Sequence, residues 1–149
     1  EMGYNFLPSE ISAAFGLVQL KKLKIFAEIR KKNFNELNSF FNSINFFETP
    51  KQLSNVETSW LAFPLTITFT RLEIVKHLES CGIQTRPVFS GNILRQPGFK
   101  NIKHKDLGKE YKVANNIMRN SFLIGCNHGL DERHMNRIKT SFTSFLENK

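Results

Sequence analysis

The sequence predicts a small α/β sandwich, with helices on one face of a sheet of about three strands. Three observations carry this. Helical apolar spacing fills the first third of the chain, an alternating segment of Leu65, Ile67 and Phe69 follows, and helical and extended stretches then alternate to the end. With 149 residues and 40% apolar content, the chain is long enough to bury one sizeable core.

Ser9-Glu10, preceded by Pro8, reads as an N-cap, and Ile11, Ala14, Phe15 and Val18 form the first apolar stripe. The pattern drifts at Lys21 to Lys24 and resumes at Phe26, Ile29, Phe34, Leu37, Phe41 and Ile44, which predicts a kinked long helix or two helices end to end. Glu48 to Ser59, with Pro50, reads as a loop. A strand from about Trp60 to Phe69 has one buried face, and Pro64 places it near an edge or at a bulge. Leu72, Val75 and Leu78 then ride a helix from Arg71 that stops at Gly82, and Ile83 to Arg86 is a short strand. Asp106 is expected to start a helix carrying Leu107, Tyr111, Ala114 and Met118, followed by a strand from Ser121 to Ile124. Asp131 caps a last helix with Met135, Ile138, Phe142 and Phe145 on its buried stripe.

The 21 basic against 13 acidic residues give a formal charge of +8, which favours an anionic partner without choosing among nucleic acid, lipid and phosphorylated small molecules. Lys21, Lys22, Lys24, Arg30, Lys31 and Lys32 read as a solvated helix face. No apolar run reaches the ~20 residues of a membrane span. Glu1-Met2-Gly3-Tyr4 lacks the order of a secretory signal, so a cytoplasmic location and no membrane partner are expected. Cys81 and Cys126 suit a reducing compartment as buried small residues, and no metal site is expected from them. His77, His104 and His134 have no ligand-spaced partner and read as solvated surface.

The residues left for chemistry lie in polar, Gly/Pro-punctuated loops. Arg86 and Arg95 offer planar forks for carboxylate, phosphate or sugar oxygens, or for pairing with Glu79 or Asp106. Asn92 and Gln96 suit either sugar hydroxyls or bracing of the loop backbone. Phe89 between Val88 and Ser90 reads as packing by default, or as the wall of a ligand pocket. His128, between Asn127 and Gly129, sits where small neighbours let backbone approach a ligand.

Together these motifs resemble a known family. Gly3-Tyr4-Asn5, Ser9-Glu10-Ile11, Ala13-Ala14, Gly16 and Gln19-Leu20 resemble the stretch that follows the catalytic site in the DegT/DnrJ/EryC1/StrS-type sugar aminotransferases and dehydratases, which are fold-type I pyridoxal-phosphate enzymes. Ser59-Trp60, Phe63-Pro64, Gly82-Ile83, Thr85-Arg86, Gly91-Asn92-Ile93-Leu94-Arg95-Gln96-Pro97, Asn116-Ile117-Met118, Ile124-Gly125 and Gly129-Leu130 resemble the branch of nucleotide-sugar 3-dehydratases, including those acting on CDP-4-keto-6-deoxyglucose.

The resemblance implies a C-terminal portion of such an enzyme. Residues 1–22 would be a remnant of the large pyridoxal-phosphate domain and 23–149 the small domain, a short, mostly antiparallel sheet covered by helices and preceded by a long helix. It implies pyridoxal or pyridoxamine phosphate as cofactor, a nucleotide-linked 4-keto-6-deoxy sugar as substrate in deoxysugar or lipopolysaccharide biosynthesis, and a homodimer for the full-length enzyme. Asn5 would contact the cofactor phosphate across the dimer interface. Arg86, Phe89, Asn92, Arg95, Gln96 and His128 would face the substrate. The Lys of the aminotransferases, or the His that replaces it in 3-dehydratases, falls outside these 149 residues, as would the cysteines of any iron–sulfur centre, and the chain alone is expected to be inactive. Leu7 departs from the usual basic residue, and Asn127 from a common pair of histidines. A sugar aminotransferase is the nearest alternative. A basic nucleic-acid-binding domain accounts for the charge but lacks a groove-reading or stacking motif. The polar loops speak against an interaction module without chemistry.

Overall fold

A computed structural model describes residues 9–105 and 111–148. Asn5 and Leu7, and the expected helix start at Asp106 and Leu107, lie outside the described residues. Among the described residues four α-helices, α1 (Glu10–Asn42), α2 (Arg71–Ser80), α3 (Lys112–Asn120) and α4 (Glu132–Glu147), accompany strands β1 (Phe47–Glu48), β2 (Ala62–Ile67), β3 (Thr85–Pro87) and β4 (Ser121–Gly125). The sheet has four strands in the order β1-β2-β4-β3 rather than about three, and every pairing is antiparallel. The extra strand, β1, is two residues long, too short to show a period of its own.

Of the two alternatives at Lys21 to Lys24, the structure shows one long helix rather than two, because α1 runs unbroken through 33 residues. The drift marks the point where α1 leaves the core. Its buried side chains, Asn33, Phe34, Leu37 and Phe41, all lie in the second half, whereas Ile11 is 84% and Phe15 67% exposed. Ser9 occupies the N-cap position, yet its side chain makes no capping bond. Among the described residues no helix is long and apolar enough to cross a membrane.

The core forms where the alternation of β2 meets three helices. Phe63, Leu65 and Ile67 share one face with Ile124 and Phe122, their register neighbours or next neighbours on β4. Against this face pack Leu37 and Phe41 from α1, Ile74 and Leu78 from α2, and Met135, Ile138 and Phe142 from α4. Phe41 is the hub, with ring centroids 5.1 Å from Phe47, 5.6 Å from Phe63 and 4.7 Å from Phe142. Pro64 lies in an interior strand, but β1 pairs only with Thr66 and Ile67, so β2 is locally an edge beside the proline.

Several expected positions are corrected. Leu72 is exposed, and Ile74 takes its place beside Leu78 on the buried side of α2. Gly82 does end that helix, at φ +74°, with the Ile83 amide donating back to the Leu78 carbonyl. Tyr111 lies outside α3 because its own φ of +48° breaks the helical path, and α3 runs from Lys112. Asp131 caps α4 as expected, and His134 completes a reciprocal capping box. The Asp131 carboxyl lies below its ordinary range, chiefly because the His134 backbone amide donates to it.

His77 is not solvated surface. Half-buried, it donates from Nε2 to the Ser141 carbonyl at 2.9 Å and packs on Phe145, tying α2 to α4. His104 and His134 are exposed. Cys81 is half-buried rather than buried, whereas Cys126 is fully enclosed. Burial pushes the Cys126 thiol up to about 11, against a smaller opposing pull from Arg30. The sign follows directly: a thiol whose folded value is raised stabilises the fold below its unfolded value, and that contribution is lost as pH climbs toward about 11. At neutral pH an aromatic disulfide reagent should modify Cys81 well before Cys126, and denaturant should release the second equivalent; equal native rates would contradict the burial.

Candidate functional site

The Thr85–Pro97 loop leaves the sheet after β3 and turns sharply. Phe89 donates its amide to the Pro87 carbonyl at 2.9 Å, and Gly91 does the same to Val88 at 3.0 Å. The turn places Phe89 at φ +45°, a left-handed conformation that a bulky side chain rarely adopts. Packing does not compensate, since Phe89 is 89% exposed. Its reading as a packing residue is therefore corrected: the backbone holds an aromatic face out into solvent.

Arg86 and Arg95 are exposed on the same loop. Arg86 donates to the neighbouring Thr85 carbonyl at 3.2 Å, while Glu79, one of its expected partners, accepts from the Thr85 hydroxyl at 2.7 Å. Arg95 has no ion pair among the described residues. Asn92 is buried, and its amide accepts from the Leu94 N–H at 3.1 Å and donates to Asn115 Oδ1 at 2.8 Å. Gln96 donates to the Ser90 carbonyl at 2.9 Å. Both amides thus brace the loop.

Beside the loop lies a cavity of about 870 Å³ with Phe122 among its lining and Arg71, Arg86, Arg119 and Glu79 around it. Three guanidiniums against one carboxylate make it electropositive. Arg71 is already committed, donating from one nitrogen to the Met118 carbonyl at 3.0 Å and the Ser121 carbonyl at 2.8 Å. Arg86 and Arg119 are left to face a ligand. Sequence reasoning missed Arg71 and Arg119, and only the fold reveals them, because each lies at a helix end that the topology brings to β3.

The structure does not bring His128 together with this loop. Pro87 pairs with Phe122 near the start of β4, whereas His128 follows its end, and a five-residue strand spans roughly 17 Å. His128 instead stacks on Phe26 of α1, with ring centroids 3.8 Å apart. Arg30 donates to its Nδ1 at 3.2 Å, and because arginine only donates, Nδ1 is the acceptor. Arg30 is accordingly half-buried rather than part of a solvated face, and its Nε is buried without a partner among the described residues. Asn33, a buried amide that sequence reasoning passed over, fixes this loop to α1 by donating to the Asn127 and Leu130 carbonyls at 2.9 and 3.2 Å. Its signal was a polar residue inside an apolar helical stripe. Among the described residues no cluster of His, Cys, Asp and Glu could hold a metal ion.

The sequence model of the DegT/DnrJ/EryC1/StrS aminotransferase family matches residues 1–143. The lipopolysaccharide biosynthesis protein RfbH of Salmonella typhimurium is 37% identical over 150 residues, covering 97% of this chain and 34% of that protein. The GDP-4-keto-6-deoxy-D-mannose 3-dehydratase of Yersinia pseudotuberculosis is 34% identical over 133 residues, covering 87% of this chain and 33% of its own length. A crystal structure of GDP-4-keto-6-deoxymannose-3-dehydratase with a trapped PLP-glutamate geminal diamine superposes with a TM-score of 0.82 at 27% identity, covering 94% of this chain and 37% of that one. The chain thus spans about a third of the length of these relatives.

Proposed function

This chain belongs to the DegT/DnrJ/EryC1/StrS aminotransferase family, and from that premise we propose that it forms the small-domain side of the sugar-nucleotide site in a 3-dehydratase. The substrate would be a nucleotide-linked 4-keto-6-deoxyhexose, and the setting deoxysugar or lipopolysaccharide biosynthesis, as the names of its relatives suggest. The observation that carries the reading is the Thr85–Pro97 segment, braced from within by Asn92 and Gln96, which leaves Phe89 and Arg95 exposed and sets Arg86 in the lining of an electropositive cavity.

The division of labour follows from the chemistry of each side chain. Arg86 and Arg119 donate to phosphate or sugar oxygens, and Arg95 offers a further exposed fork on the same loop. Phe89 presents its ring to a base or a pyranose face, where an aromatic surface binds without specifying hydroxyl orientation. His128 serves a separate surface, where α1 and the end of β4 meet.

A pyridoxal or pyridoxamine phosphate bound to the whole enzyme supplies the electron sink for loss of the 3-hydroxyl. The carboxylate lining the cavity, Glu79, already accepts from the Thr85 hydroxyl through one oxygen, and it is not assigned to the cofactor. No described residue is assigned to the cofactor, and Asn5 is kept as its proposed phosphate contact. In this reading the boundary stays at residues 1–22 and 23–149, in keeping with core side chains that begin at Asn33. The whole enzyme is a homodimer, and the chain by itself is catalytically silent.

Titration of the isotope-labelled chain with GDP, CDP and dTDP tests the site. Amide shifts should concentrate at Thr85–Leu94 and Arg119, and should weaken with added salt. Shifts confined to the Lys21–Lys24 face, or a salt-sensitive complex with random oligonucleotides at physiological ionic strength, would instead favour the nucleic-acid reading.

A further inference from the structure

We infer that Asn115 is a positioning residue that sets the orientation of the Thr85–Pro97 loop, acting through Asn92. From Arg86 to Phe99 only Asn92 is buried, so the loop has almost no apolar packing to hold its strained turn. The orientation of the Asn92 amide is not arbitrary. Its oxygen accepts from the Leu94 N–H, so its nitrogen must face Asn115, whose Oδ1 receives it at 2.8 Å.

A second contact lies one helical turn along α3. Gly91 has φ +61°, and a Cβ there would fall 2.5 Å from Met118 Cα, so loop backbone rests directly on helix backbone. The C-terminal end of α3 is held as well, by the Arg71 guanidinium on the Met118 and Ser121 carbonyls. Helix α3 is therefore tied to the start of α2 as well as to the loop. Asn115 and Met118 are the two points at which it dictates the course of the loop beyond β3, which carries Phe89 and Arg95. The consequence for ligand binding rests on the proposed function, whereas the mechanical role does not.

The two are separable in one experiment on the full chain. Asn115→Ala should raise amide exchange at Leu94 and trypsin cleavage after Arg95 about tenfold, the scale of one buried donor left without its acceptor. Exchange in β2 and β4 should stay unchanged. Asn115→Asp keeps an acceptor for Asn92 and should restore both loop readouts. Asn115→Leu removes the acceptor in a side chain of similar size and should reproduce Asn115→Ala, so the contact can be read even if one variant fails to fold. Unchanged exchange and cleavage in Asn115→Ala and Asn115→Leu would overturn the positioning role. The same variants titrated with GDP and CDP should bind more weakly in parallel with loop loosening; a loosened loop with unaltered nucleotide affinity would uphold the positioning role and refute the sugar-nucleotide reading instead.

Discussion

Phe41→Ala should destabilise the fold by about 3–5 kcal/mol, the range for removing a fully buried aromatic ring. Phe41 is 0% exposed and joins α1, β1, β2 and α4 through its contacts with Phe47, Phe63 and Phe142. Those neighbours come from three separate segments besides α1 itself, so the void left behind is bounded by several backbones and cannot close by the shift of one side chain. Domains of this kind have only about 5–15 kcal/mol in total, and at this size each kcal/mol moves Tm by roughly 2–4 °C. The substitution should therefore lower Tm by more than about 6 °C in a thermal melt. The same change at Phe15, which is 67% exposed, should stay within about 0.5 kcal/mol in the isolated chain. Equal costs at the two positions would mean that α1 packs differently.

Arg86→Ala should raise KM for the sugar nucleotide by about 10–100-fold in an enzyme that carries this chain, as expected for one charge-assisted contact. Arg86 is exposed, its one bond among the described residues goes to the adjacent Thr85 carbonyl, and Glu79 is turned to Thr85. Its fork is thus available to phosphate or sugar oxygens without first breaking an ion pair. Arg86→Lys should recover only part of the loss, because an ammonium keeps the charge but cannot present two parallel donors. Steady-state kinetics on both variants check this. A fall in kcat with unchanged KM would place Arg86 in a different role.

How much of this was legible beforehand depended on whether a residue's role was local. Asp131 and the Met135/Ile138/Phe142 stripe were readable because a cap and a helical period are written within a few residues. The buried face of β2 was readable for the same reason at Leu65 and Ile67, whereas Phe69 falls past the end of the strand and Phe63 completes the buried face instead. Leu72 misled because helical spacing alone cannot say which of two overlapping stripes faces the sheet, and Ile74 fits the packing better. His77 and Arg30 looked solvated because their partners, Ser141 and His128, lie 64 and 98 residues away. The loop motif was conspicuous, but its dependence on Asn115 and Met118 exists only once α3 folds against it. His128 was singled out for its small neighbours and the family resemblance, and its stacking on Phe26 of α1 exists only once the segment after β4 folds against that helix.

The most direct test of the central claim is a chimera. This chain would replace the matching third of the Yersinia pseudotuberculosis 3-dehydratase, and dehydration of GDP- and CDP-linked 4-keto-6-deoxy sugars would be measured with pyridoxamine phosphate supplied. Turnover is expected with at least one of the two substrates, lost or sharply weakened by Arg86→Ala. A folded, dimeric chimera that binds the cofactor yet turns over neither would contradict the claim.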